Sequence, residues 1–244
     1  MMCAGKQDNA LPLSNATQLR ARCDVLVAED RGRIAGVAST YHDLPSANLT
    51  FAARAPAAVG ALVGALADRN PRLHAGPVLA LLPIERLAQL ARHAQILESQ
   101  IEYQMVVEPE SLRPTESGGA RRLAAGDLPQ IDALAQATGL TSWHRSALSL
   151  GPAFGCFAGA RLVAMAGTHY ATPEVIEIGF VATHPDHRRR GYASACASAL
   201  AQAAFALAPR VFLMVLEDNE PALAAYKRLG FRALDRMYLT HFTL

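Results

Sequence analysis

With 244 residues, 51% of them hydrophobic, the chain can bury one large core or two small ones. Lysine and arginine total 23 against 21 acidic residues, a formal charge of +2, which removes any overall electrostatic case for a nucleic-acid polymer as partner. Cys3, Cys23, Cys156 and Cys196 lack the short paired spacing of a zinc site or a disulfide framework, so no metal and a reducing cytoplasm are expected. Neither a basic start leading into an apolar run nor an apolar stretch of about eighteen residues occurs, so neither secretion nor membrane insertion is expected.

In chain order, Asp24 to Asp30 reads as a strand, Arg31 to Arg33 as a tight turn, Ile34 to Tyr41 as the returning strand and Asn48 to Ala53 as a third. An apolar helix, Ala57 to Ala67, follows Pro56 directly. Then come a strand at Val78 to Leu82, a helix at Ile84 to His93 and a strand at Ile96 to Val107. Between Glu108 and Gly119 the pattern is interrupted by Pro109, Pro114, Ser117, Gly118 and Gly119, which marks a domain boundary near 112/113. A strand at Arg121 to Ala124 and a helix from Asp127 to Thr138 open the second half.

The later elements repeat the earlier ones. Phe154 to Ala158, Leu162 to Tyr170 and Val175 to Thr183 form a second hairpin-plus-strand, followed by a helix from Ser194 to Leu207. Arg33 to Thr40 aligns with Arg161 to Thr168 at 161 − 33 = 128, and Leu49 to Pro56 with Ile178 to Pro185 at 178 − 49 = 129. Val211 to Leu216, Asn219 to Leu229 and Phe231 to Phe242 then mirror the strand, helix and strand that close the first half. Two copies of one α/β domain are therefore expected, 1–112 and 113–244, each a mixed, mainly antiparallel sheet flanked by helices.

The segment Val181-Ala182-Thr183-His184-Pro185-Asp186-His187-Arg188-Arg189-Arg190-Gly191-Tyr192-Ala193-Ser194 joins a buried strand to a helix through a basic, glycine-containing turn. A helix N-terminus presents unpaired N–H groups and partial positive charge, Gly191 admits close approach of a ligand, and three arginines add full charge where a pyrophosphate would sit. The pattern Arg188-x-x-Gly191-x-Ala193 resembles the acetyl-CoA pyrophosphate loop of the GNAT acetyltransferase superfamily, and Leu216 to Phe231 resembles that family's late strand, asparagine-started helix and Leu-Gly-Phe exit.

The resemblance implies acetyl-CoA as donor substrate and a small amine or amino-acid-like molecule as acceptor, with direct transfer and no acyl-enzyme. It implies that Arg188 to Ser194 hold the pyrophosphate, Val181, Ala182 and Thr183 pair with the pantetheine arm, and Tyr226 stands near the sulfur. Glu177 lies where some members carry a glutamate base, and is the candidate base and acceptor contact. An amine of pKa about 10.4 must lose a proton before attack, and a hydroxyl such as that of Tyr226 can protonate the leaving thiolate. Asn219 reads as a helix N-cap at the cofactor, and Trp143 as part of the acceptor wall. His184 and His187 read as capping or solvated rather than metal-binding, and Cys196 as packing.

In the first copy Asn48 falls where Glu177 lies, at 177 − 48 = 129, and Ala91 where Tyr226 lies, at 226 − 91 = 135. The arginine-glycine loop is missing, so the first copy is expected to be degenerate. A longer acyl-CoA donor and a CoA-binding sensor without turnover are the competing readings. Nucleic-acid binding lacks interleaved aromatics and a second basic face. A monomer or homodimer is expected.

Overall fold

The computed structural model describes residues 10–115 and 119–244; Cys3, Ser117 and Gly118 lie outside the described residues. The chain divides into two compact units, one comprising the chain up to Glu102 together with Arg236–Leu244, the other Tyr103–Asp235. The division thus falls ten residues before the 112/113 boundary expected from the proline-rich stretch (112 − 102 = 10), and it returns the last nine residues to the first unit (244 − 236 + 1 = 9).

The first unit contains α1 (Ala10–Ala16), β1 (Cys23–Asp30), β2 (Arg33–Tyr41), β3 (Asn48–Ala53), α2 (Pro56–Arg69), β4 (Val78–Pro83), α3 (Leu87–Leu90) and the start of β5 (Gln95–Val107). Arg31 and Gly32, both at positive φ (49° and 74°), make the two-residue turn that joins β1 to β2. Such a turn twists with the hairpin it closes. β1–β2 and β2–β3 pair antiparallel, whereas β3–β4 is parallel. On α2, Val59, Leu62, Val63 and Leu66 are at most 3% exposed. Each such side chain contributes about 1.5–3 kcal/mol by leaving water.

The helix expected over Ile84 to His93 is shorter: a 3₁₀ turn, Ile84–Arg86, leads into the single turn of α3. Leu90 is the only fully buried residue of that turn, so no apolar face extends the helix toward His93. α1 was not legible as a helix. It buries Ser14 and Asn15, and Asn15 donates to the Ser39 hydroxyl at 3.0 Å. Such a buried polar face carries no hydrophobic period.

The second unit holds the end of β5, then β6 (Arg121–Arg122), α4 (Leu128–Thr138), β7 (Ala153–Ala158), β8 (Arg161–Ala171), β9 (Val175–Thr183), α5 (Tyr192–Ala204), β10 (Arg210–Leu216), α6 (Glu220–Arg228) and the start of β11 (Arg232–Thr243). Its strands run β5-β10-β9-β8-β7-β6; β6–β7, β7–β8 and β8–β9 are antiparallel and β9–β10 is parallel. The order β7-β8-β9-α5-β10-α6-β11 repeats β1-β2-β3-α2-β4-α3-β5, with the parallel pair at the same place. The rest of β11, Met237 to Phe242, pairs antiparallel with β4 inside the first unit. The fold is α/β, with mixed, mainly antiparallel sheets flanked by helices. No helix among the described residues is long and apolar enough to cross a membrane.

In the second unit β9 is irregular on both of its edges. Between the pairs Met165↔Ala182 and Gly167↔Gly179, β9 advances 182 − 179 = 3 residues against 167 − 165 = 2 on β8, a bulge that includes Phe180 at φ 50°. A bulge bends its strand and ends regular pairing. Correspondingly, β9–β10 pairing runs from Arg210↔Val175 to Leu213↔Ile178 and stops, so the two parallel strands part beyond Ile178.

Candidate functional site

Where β9 and β10 part lies a cavity of about 890 Å³. Its walls are Val181, Ala182 and Thr183 from β9, the whole turn Arg188 to Ser194, and Asn219 and Tyr226 from α6. Every residue named from the sequence as a cofactor contact is therefore brought to one cavity within one unit. The C-terminal end of α4 closes the cavity with Thr138, Gly139 and Leu140, and Gly139 is the left-handed residue (φ 69°) that ends that helix.

The basic turn presents positive charge to the cavity. Arg189 (φ 59°) and Gly191 (φ 80°) are both left-handed, which curls the backbone tightly around Arg190 before α5 begins. Gly191 is the N-cap and supplies no side-chain cap, so the first N–H groups of a 13-residue helix have no side-chain acceptor there. Among the described residues none of Arg188, Arg189, Arg190 and Arg228, all exposed and all lining the cavity, is held in an ion pair. Four guanidiniums and a positive helix end thus face one space without a protein anion to neutralise them.

Two buried polar atoms on the same wall lack partners, the Thr183 hydroxyl and His187 Nδ1. Groups like these cost free energy when left unmet, and a polar ligand in the cavity would satisfy them. The size of the space, its cationic end and these donor-acceptor vacancies fit a pyrophosphate-bearing molecule with an amide-containing arm. His187 and Arg228 were not named as contacts from the sequence, although both lie inside the two motif blocks that pointed to this site.

Asn219 caps α6, its side chain accepting from Ala222 N–H at 3.3 Å. Further along the same helix, Tyr226 is 7% exposed, with its ring 6.0 Å from that of Phe231. Burial pushes its pKa up to about 12, so at neutral pH the phenol is a proton donor.

Glu177 and Trp143 do not line this cavity. Trp143 packs on the core of α4 and β9, its ring edge-on to Phe180 at 5.4 Å and its indole N–H on Asp132 at 2.8 Å. Glu177 is 3% exposed; one carboxylate oxygen meets His169 Nδ1 at 2.6 Å, and burial together with the Glu177 charge pushes the pKa of the Tyr170 phenol up. His169 escaped the sequence reading because its partner lies on the neighbouring strand. His184 caps the 3₁₀ turn Pro185–His187 by accepting from Asp186 N–H, and Cys196 is buried with its sulfur 3.5 Å from that of Cys156. Among the described residues no cluster of three or more metal-ligating side chains occurs.

Residues 128–231 match the model of the acetyltransferase (GNAT) family. An acetyltransferase of Yersinia pestis (strain Pestoides F) is 34% identical over 61 residues, 25% of this chain and 43% of that protein, so the match spans less than half of the relative's length. In fold the chain is similar to a GCN5-related N-acetyltransferase from Kribbella flavida, with TM-score 0.72, 21% identity and coverage of 98% of this chain and 96% of the other. It is also similar to a tandem GNAT protein from the clavulanic acid biosynthesis pathway, with TM-score 0.58, 15% identity and coverage of 90% and 82%.

Proposed function

We propose that this chain, whose residues 128–231 match the model of the acetyltransferase (GNAT) family, is an acetyl-CoA-dependent N-acetyltransferase that transfers the acetyl group directly to the amine of a small or amino-acid-like molecule. The observation that carries the proposal is the cavity at the parting of β9 and β10, with a cationic helix N-terminus at one wall and a protonated tyrosine at another.

In this reading Arg188, Arg189, Arg190 and the first amides of α5 hold the pyrophosphate of acetyl-CoA, and Val181 to Thr183 meet the pantetheine arm along a strand edge left open by the bulge. Bound acetyl-CoA supplies an activated thioester carbonyl beside Tyr226. The phenol of Tyr226 donates to the departing sulfur, and strand N–H groups at the bulge stabilise the developing oxyanion. Glu177 supplies basic character on the acceptor side. Three buried free cysteines, Cys23, Cys156 and Cys196, support a cytoplasmic setting.

The first unit reads as a copy without this chemistry. Asn48, matching Glu177, uses its amide to lock a turn, accepting from Tyr41 N–H at 2.9 Å and donating to Tyr41 C=O at 2.7 Å. Pro56 stands at the start of α2, where it removes an N–H that an anion would need.

Calorimetric titration of the full chain with acetyl-CoA and CoA, followed by thiol release across a panel of amines, tests the proposal. Micromolar binding is expected, weakened about a hundredfold in Arg190→Glu, with thiol release confined to one amine class. No binding of acetyl-CoA would overturn the proposal. Binding without turnover for any amine or longer acyl donor would leave a CoA sensor.

A further inference from the structure

We propose that Arg228 binds the phosphate monoester on the ribose of the donor, and so makes this chain selective for acetyl-CoA over its 3′-dephospho form. This deepens the transferase reading and rests on it. In that reading the diphosphate is already met by Arg188, Arg189, Arg190 and the first amides of α5, all on one side of the cavity. A further guanidinium lines the same cavity from a different element: Arg228, the last residue of α6.

Helical spacing sorts the wall that α6 contributes into two stripes. Asn219, Ala222 and Tyr226 (222 − 219 = 3, 226 − 222 = 4) share the face that runs in to the buried phenol. Pro221, Ala224 and Arg228 (224 − 221 = 3, 228 − 224 = 4) share another, and all three are exposed. Arg228 follows Tyr226 by two residues, about 200° around the helix, so the cavity reaches from the buried side of α6 to its solvent side. Ala222, Ala224 and Ala225 leave the surface between the stripes without long side chains, and a ligand can pass over it. With the thioester beside Tyr226 at the buried end, the nucleotide, which is the far end of the same molecule, lies toward the mouth where Arg228 stands.

Charge singles out this residue. No carboxylate is among the residues that line the cavity, and Glu220 and Lys227, the other charged residues of α6, do not line it. Arg228 is held in no ion pair among the described residues. A phosphate monoester carries a charge of about −1.5 to −2 at neutral pH and offers three acceptor oxygens. A guanidinium meets two such oxygens at once through parallel N–H bonds, which an ammonium cannot do. The helix dipole also favours a cation at the end of α6, but that gain is the same whichever donor is bound.

The test titrates the full-length wild type, Arg228→Gln and Arg228→Lys with acetyl-CoA and with acetyl-3′-dephospho-CoA by calorimetry, and measures KM and kcat of thiol release with both donors. Wild type is expected to bind acetyl-CoA about tenfold or more tighter than the dephospho form. Arg228→Gln is expected to bring the two affinities within about threefold of each other by weakening acetyl-CoA alone, with its KM raised in proportion and kcat within about twofold of wild type. Arg228→Lys, which keeps the charge without the fork, is expected to fall between them. If Arg228→Gln does not fold, Arg228→Ala, a stronger helix former, takes its place. Equal affinity of the wild type for the two donors overturns the selectivity and leaves the transferase reading standing. A preference that survives Arg228→Gln gives the phosphate to another side chain and overturns the role of Arg228. An equal loss for both donors overturns it too, since a purely structural arginine would act that way. No binding of either donor to the wild type overturns the transferase reading and this inference with it.

Discussion

Tyr226 has two separable consequences. As proton donor it should be worth about 100-fold in kcat, so Tyr226→Phe is expected to slow thiol release by that factor while acetyl-CoA affinity changes little. Its raised pKa also links to stability. The unfolded phenol ionises from about pH 10 and the folded one only near 12, so the contribution is complete below pH 10 and is lost as pH rises through 12. Urea midpoints should therefore fall less between pH 8 and pH 11 in Tyr226→Phe than in wild type. Part of the fall will remain, because the Tyr170 pKa is raised as well. Thr183 gives a sharper contrast. Its hydroxyl is buried without a partner, so Thr183→Val should leave stability unchanged or raise it by up to about 1 kcal/mol. The same change should weaken acetyl-CoA binding about tenfold if the ligand is what meets that hydroxyl. A urea curve and a calorimetric titration on the one variant decide both.

Among the elements, the junction of β9, the basic turn and α5 carries the site, and its special backbone is confined to a few positions. Gly191→Ala forces a Cβ into a left-handed N-cap (φ 80°), which should cost about 1–2 kcal/mol of stability. It should also loosen acetyl-CoA, because the turn that aims Arg190 would relax. Asn219→Ala removes a side-chain cap from α6, with an expected loss of about 1 kcal/mol in the urea transition. Both residues were readable in advance because caps and turns are written in consecutive residues. The short α3 was not, since its periodic pattern continues to His93 while only Leu90 finds a core to enter.

For the whole molecule, the final strand matters most. Phe242 is fully buried in the core of the first unit together with Leu66, Leu82 and Leu90, so Phe242→Ala should destabilise that unit by about 3–5 kcal/mol, measurable as an early phase in thermal unfolding. Met105 and Val107 are fully buried in the core of the second unit. A fragment that begins at residue 113 loses both, and is expected to be less stable than one that begins at residue 103.

The sequence by itself determined the α/β class, the repeated order of elements and the basic wall of the cavity, because each rests on short periodic runs or on a contiguous motif such as Arg188 to Ser194. Local chemistry suffices there: a helix N-terminus with arginines before it attracts anions wherever it is placed. Only the tertiary structure decided the pairing of β11 with β4 in the first unit, the bulges at Phe180 and His169, the contact between Glu177 and His169, and the packing of Trp143 on the core of α4 and β9. These depend on register between strands and on which face a residue takes once a bulge has shifted it. Pairing between residues far apart in sequence leaves no mark in local periodicity.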